Sequence, residues 1–152
     1  MAETHTAAPH HAGTRRANLL VRVVTPEKTA YEHEAESVRF PGWDGLFGVL
    51  RNHAAMITPL SPGILTVHEI GGKTTEMFVS DGFAEVRDNV LRIVCEASER
   101  PEEIDLERAK ESEQRARQRI HEHASVDVDL PRAEAALQRA LYRQKLVRKY
   151  RA

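Results

Sequence analysis

The texture of this chain changes abruptly at Ala97, and that break constrains the fold more than any single motif. Before it, "NLLVRVVTP", "AESVRFP", "GILTVHEI", "KTTEMFVSDG", "FAEVRDN" and "VLRIVCEA" are short runs rich in Val, Ile, Thr and Phe, several alternating apolar and polar. Gly71-Gly72, Asp81-Gly82 and Asp88-Asn89 separate them, and the first two suit the positive φ angles of tight hairpins. After Ala97 there is no glycine at all. At 152 residues the chain has room for one small domain and an appendage, not for two large cores. The expected class is β + α, an N-terminal β-sandwich of short antiparallel strands over residues 18–97 followed by a C-terminal two-helix antiparallel hairpin over 98–152. Residues 1–17 lack periodicity and read as a disordered leader. His10 and His11, neighbours on such a segment, preorganise no metal site.

The helical half carries its own punctuation. Pro101 suits a first turn, with Glu102, Glu103 and Asp105 at the positive end of the helix dipole, and the segment runs to about Ala124. Asp129 is the expected N-cap of a second helix, opened by Pro131 and ending near Arg151. At about 100° per residue, Asp105, Arg108, Ser112, Arg115 and Arg119 share one side of the first helix, beside Ala109 and Ala116. In the second helix Arg132, Arg139 and Arg143 run beside Ala133, Ala136 and Ala140. Alanine stripes permit close packing but bury little area, so such a hairpin is weakly held and can open.

Charge is unevenly divided. Lys and Arg total 22 against 23 Asp and Glu, and a net charge of -1 gives no global pull toward nucleic acid or anionic lipid. Yet residues 131–152 carry a surplus of about six positive charges, too many for dipole complementation of the last turn alone. Arg132, Lys145 and Arg148 are therefore candidate contacts for an acidic protein partner.

Enzyme chemistry finds little support. The glycine-rich stretch "GWDGLFGVLRNHAAMITPLSPGILTV", residues 42–67, has no Walker lysine and no GxSxG elbow, and reads as a backbone device linking strands. His53 within it has no visible catalytic partner, so it is expected to be a structural or interface histidine, and Trp43 and Phe47 are candidate interface anchors. No residue is assigned a catalytic or metal-binding role. Cys95, alone in an apolar run, reads as a buried structural thiol. With no apolar stretch of membrane-spanning length and no secretory core in "MAETHTAAPHHAGTRR", the chain is expected to be cytosolic or peripheral to something larger.

Two stretches, "GLFGVLRNHAAMITPLSPGIL" and "DGFAEVRDNVLRIVCEA", together with the helical tail, resemble the ε subunit of the bacterial F-type ATP synthase, called δ in mitochondria. The resemblance covers about residues 18–150. It implies a non-catalytic central-stalk subunit of a rotary proton-translocating ATP synthase, coupling rotation to proton flow. Its partners would be the γ subunit, the c-ring and the catalytic β subunits, with no nucleic acid and with membrane contact only through the complex. Its place would be the cytoplasmic face of the bacterial plasma membrane, peripherally. The family's hairpin lies folded on the sandwich or extends along γ, where its basic second helix restrains ATP hydrolysis.

The resemblance also implies a nucleotide site. No cofactor is required, but some bacterial members bind ATP as a regulatory ligand through an "[IL]DxxRA" motif, matched here by "IDLERA" at Ile104, Asp105, Arg108 and Ala109. Glu99, Arg115, Arg139 and Arg143 fall at the accompanying positions. The alternative is a soluble ATP-binding sensor acting through the hairpin alone. The chain departs from the family at Arg51 and Ala55, where the histidine region usually has prolines with fixed φ.

Overall fold

The computed structural model describes residues 16–124 and 127–152; the expected leader lies almost wholly outside them. Strands β1 (Leu19–Val24), β2 (Thr29–Gly42), β3 (Gly45–Leu50), β4 (Met56–Leu60), β5 (Gly63–Glu69), β6 (Thr74–Val79), β7 (Gly82–Arg87), β8 (Val90–Cys95) and β9 (Ser98–Glu99) precede helices α1 (Leu106–Glu122) and α2 (Leu130–Arg151). The strand order is β1-β8-β7-β4-β2-β5-β6-β9, with β3 on β2 and with β1 also pairing β2. All of these pairs are antiparallel except β1 with β8. Sandwich and hairpin are as expected from the texture break.

The long strand β2 joins the two layers. Its first half pairs with β1, from Leu19↔Ala35 to Val24↔Thr29, and its second half with β5 and β3. A register shift between Ala35 and Ser37 leaves Glu36 over, a bulge that bends the strand from one layer into the other. Inward residues from both layers, among them Leu19, Val21, Val38, Phe40, Leu65, Met77 and Ile93, form the main core.

A second, smaller core lies outside the sandwich. Within β6, Met77 and Val79 face inward, yet Phe78 between them is also fully buried, because α2 covers the outer face of the sheet there. Phe78 packs with Ile104, Leu146 and Val147. Three consecutive apolar residues in "EMFVS" are the sequence sign of a strand covered on both faces.

Four expectations are corrected. The glycine-rich stretch is not merely a connection, since it contains β3 and β4; Phe47 and Val49 point inward while Leu46, Gly48 and Leu50 face out, a period-two pattern masked by the glycines. The sandwich runs past Ala97, because β9 adds Ser98 and Glu99 beside Val79 and Phe78. Pro101 opens a single 3-10 turn over Pro101–Glu103, and α1 starts only at Leu106 with Asp105 as its N-cap. Gly71 and Gly72 have the expected positive φ, but Asp81-Gly82 does not, whereas Asp88-Asn89 does, at 50° and 59°.

Gly82 is required for a different reason. A Cβ there would run into the Val94 carbonyl and the Cys95 backbone of β8. Cys95 itself is free and buried, and burial pushes its thiol up to about 11, so it stays protonated and inert near neutral pH. Gly82→Ala is expected to lower stability by about 1–3 kcal/mol in denaturant titration. Gly48→Ala, whose Cβ meets nothing, is expected to stay within about 0.5 kcal/mol.

Candidate functional site

The hairpin and its seat on the sandwich gather most of the residues singled out by sequence. Local capping sets the entry: the Arg100 amide donates to Glu103 Oε2 at 2.7 Å, and the Arg108 amide donates to Asp105 Oδ1 at 3.1 Å. Ile104, between these caps, is buried in the small core and anchors the start of α1. Ala109 and Ala116 of α1 and Ala133 and Ala140 of α2 are buried, which lets the two helices approach closely. Further along, buried Gln144 donates to Glu113 at 2.5 Å, and Arg148 donates to the Gln144 side-chain oxygen at 2.9 Å. The hydrogen bonds from Gln144 and then Arg117 hold the Glu113 carboxyl below the usual range.

Three ion pairs tie α2 to the sandwich. Arg139 meets Asp81 at 3.0 Å and Lys149 meets Glu76 at 2.6 Å. Arg143 donates from Nε to both Glu99 carboxylate oxygens, at 3.0 and 3.1 Å, and from Nη2 to Oε1 at 2.7 Å. Its guanidinium also lies 4.2 Å from the centre of the Phe78 ring, a cation–π contact.

A cleft of about 270 Å³ opens beside this clamp, lined by Glu99, Glu103, Asp105, Arg108, Ala109, Ser112 and Arg143. It thus brings together Glu99, Asp105, Arg108, Ala109 and Arg143 of the expected nucleotide positions. The other three are elsewhere. Ile104 is buried, Arg139 is committed to Asp81, and Arg115 pairs along its own helix with Glu111 at 3.7 Å and donates to Ser112 at 3.0 Å. Arg108 makes no ion pair among the described residues. No cluster of His, Cys, Asp or Glu suited to a metal occurs among the described residues.

The expected partner-facing residues divide likewise. Trp43 is 67% exposed and donates its amide to Pro59, close to exposed Ile57 and half-exposed Phe83 on β4 and β7. Phe47 is corrected: it stacks on Phe40 with ring centres 5.5 Å apart and planes 7° apart, in space that a Cβ at Gly42 would close. Leu46, 73% exposed, stands on the outer face instead; strict alternation along "LFGVL" would have found it. His53 is half-buried at the turn after β3, its Nδ1 2.7 Å from the Ala54 carbonyl. Arg132 and Lys145 are exposed without an ion pair among the described residues, whereas Arg148 is engaged by Gln144.

Comparison with known proteins covers both halves. Residues 18–101 match the beta-sandwich domain of the ATP synthase delta/epsilon chain, and residues 102–147 its long alpha-helix domain. The ATP synthase epsilon chain of Nitratidesulfovibrio vulgaris is 42% identical over 129 residues, 85% of this chain and 95% of the relative. That of Shouchella clausii is 43% identical over 127 residues, 84% and 92%. Among solved structures, a chain in the Euglena gracilis mitochondrial ATP synthase (OSCP/F1/c-ring, rotational state 1) superposes with a TM-score of 0.71 at 25% identity, covering 90% of this chain and 87% of its own. A chain of the Tetrahymena thermophila central stalk and c-ring shares the fold, with a TM-score of 0.54 at 15% identity, covering 91% and 100%.

A β-sandwich with a capped basic hairpin on its outer face, matched along both halves by structural and regulatory chains, defines a non-catalytic stalk subunit that works through contacts. The chain belongs to the ATP synthase delta/epsilon family, as an ε-type subunit of the F-type central stalk.

Acid should loosen the seat of α2. Burial works to raise the Glu76 carboxyl, but hydrogen bonds from Lys149, Tyr150 and Thr66 outweigh it and hold the group below its ordinary value. Because the docked value is the lower one, the contribution of Glu76 to docking is complete above the ordinary carboxylate value of about 4.3 and is lost as pH falls through the docked value. NMR titration of the Lys149 and Tyr150 amides is expected to show α2 releasing over that acid range, and Glu76→Gln to abolish that step.

Proposed function

We propose that this subunit couples rotation to proton flow through its sandwich and restrains ATP hydrolysis through α2. The observation that carries the second part is the seating of a strongly basic helix on the sandwich by three side-chain ion pairs, Arg139–Asp81, Arg143–Glu99 and Lys149–Glu76, around a very small apolar core. Such a seat is held by pairs that an acidic competitor can exchange. For the first part, the exposed apolar group of Trp43, Leu46, Ile57 and Phe83 supplies a surface that a γ subunit or c-ring loops would cover. The catalytic β subunits are the partner for α2. Among the described residues no helix is long and apolar enough to cross a membrane, so attachment at the cytoplasmic face of the bacterial membrane runs through the complex.

Removing residues 101–152 is expected to leave a subunit that assembles through the sandwich while ATP hydrolysis by the complex rises. Unchanged hydrolysis across nucleotide and pH conditions would remove the restraining role and leave the coupling role standing.

The cleft beside Arg143 favours a second reading, ATP as a regulatory ligand of the folded hairpin, whether within the complex or in a free sensor. Arg108 and Arg143 approach from different helices, an arrangement that suits a polyphosphate. At about 270 Å³ the cleft takes only part of a nucleotide, so binding entails local opening and competition with Glu99 for Arg143. Calorimetric titration of the full chain is expected to show binding at millimolar ATP or below, weakened about tenfold or more by Arg108→Gln. A flat titration at millimolar ATP would end this reading.

A further inference from the structure

Strand β3 stands at an edge of its sheet. It pairs with β2 from Ser37↔Leu50 to Gly42↔Gly45, and no other described strand bonds its far side. Other edges are guarded: β1 bonds both β2 and β8, β6 is covered by the two residues of β9 with Pro101 just beyond, and β4 carries Pro59. The run "LFGVL" of β3 has neither charge nor proline. Its outward positions are Leu46, 73% exposed, Gly48, and Leu50, 62% exposed.

The register decides which backbone groups are free. Pro41 has no N–H, and its carbonyl accepts from the Ser61 amide at 3.2 Å, so Pro41 and Leu46 form a pair without mutual hydrogen bonds. By alternation Phe47 and Val49 bond to β2, while Leu46, Gly48 and Leu50 turn their peptide groups to the open side. The Leu50 carbonyl accepts from the His53 amide at 3.2 Å, which ends the open stretch there. The residues that expose leucine therefore also expose unpaired peptide groups, and only an extended segment satisfies both.

β3 itself is such a segment. Leu46 and Leu50 lie symmetrically about Gly48, so a second β3 laid antiparallel sets Leu46 of each copy opposite Leu50 of the other. Gly48 then exchanges hydrogen bonds with its counterpart, and a Cβ built on it meets nothing, so the approach is open. The ends match in charge as well. Asp44 precedes the paired stretch and Arg51 follows it; both are exposed and without an ion pair among the described residues, and antiparallel pairing brings each near its opposite on the other copy. Arg39, opposite Gly48 on β2, is one strand in from the edge.

We propose that the free subunit pairs with a second copy of itself through β3, as an antiparallel twofold dimer centred on Gly48 in which Leu46 packs on Leu50 and Asp44 meets Arg51. This concerns the free chain and stands independently of the roles proposed above. Six residues a side bury less than a standard interface, so the dimer is weak, with a Kd on the order of 100 μM.

Sedimentation equilibrium of the full chain from about 10 μM to about 1 mM, with hydrogen exchange of the Leu46 and Gly48 amides over the same range, tests the pairing. The mass is expected to rise from one chain toward two, and both amides to exchange more slowly as the dimer fills. Leu46→Lys and Gly48→Pro are each expected to weaken association by about tenfold or more; the proline removes a donor that points away from β2 and so leaves the monomer folded. Arg51→Asp is expected to weaken it by about threefold, and Asp44→Arg added to Arg51→Asp to restore it. Ile57→Lys, on the same apolar surface but off this edge, is expected to leave it unchanged. The proposal is overturned if the chain stays a monomer throughout, if Ile57→Lys weakens association as much as Leu46→Lys, or if the chain associates while the two amides exchange at unchanged rates. Amides protected equally at every concentration would assign the edge to another part of the same chain and overturn it too.

Discussion

The contact on which the hairpin's position depends is Arg143, held by both oxygens of Glu99 from below and laid over the Phe78 ring. There a strand residue of the sheet edge, an outward ring of β6 and the middle of α2 meet. A guanidinium suits this role better than an ammonium would, because its plane can stack on an aromatic ring while its edge forks onto a carboxylate. The adjoining cleft exists because Arg143 and the capped start of α1 stand apart on either side of Glu99.

Around that contact the structure is stable in an uneven way. The sandwich closes its own core through β2, which belongs to both layers, and needs nothing from the helices to do so. The hairpin does not have a comparable core. Its helices meet over alanines and a part-buried Gln144–Glu113 hydrogen bond, and its seat is four buried residues with ion pairs at the rim. Alanine-to-alanine contact gains little from the hydrophobic effect, so the hairpin's local stability is lower than that of the sandwich.

How much of this the chain announces depends on which side chains are visible to periodicity. The two helices and the N-cap at Asp129 were legible, because a capping acid and alanine spacing are local signals, whereas the cap at Asp105 was hidden by the acids and proline of the turn before it. The strands β3 and β4 were not legible, because glycines and prolines outweighed a short alternation, and the first half of β2 was hidden by its charged outward face. Of the nucleotide positions, those on the IDLERA turn are near one another by sequence alone, but the commitments of Arg139 to Asp81 and Arg143 to Glu99 span the two domains. No local pattern reveals a long-range ion pair. The interface aromatic Phe47 was misplaced for a different reason, since the glycines of "GLFGVL" obscured the short alternation that turns it inward onto Phe40.

The segment around His53 gains its rigidity without proline. Where the family resemblance leads to an expectation of prolines, Arg51 and Ala55 stand instead. The turn is nonetheless pinned: the Asn52 amide donates to Asn89 Oδ1 at 2.6 Å, Asn89 Nδ2 donates to the Arg16 carbonyl at 2.5 Å, and the His53 amide donates to Leu50 at 3.2 Å. Asn52 takes a φ of 66° and Asn89 one of 59°, conformations that asparagine tolerates better than most residues. Asn89 is almost completely buried, so both ends of its amide need these partners. A ring-imposed φ holds a turn whatever its surroundings, whereas this arrangement holds it only while β1, the β3–β4 turn and the β7–β8 turn remain assembled. The conformation of the His53 turn is therefore coupled to the folding of the sandwich, and the exposed Leu50 beside it is presented in a fixed geometry without the prolines.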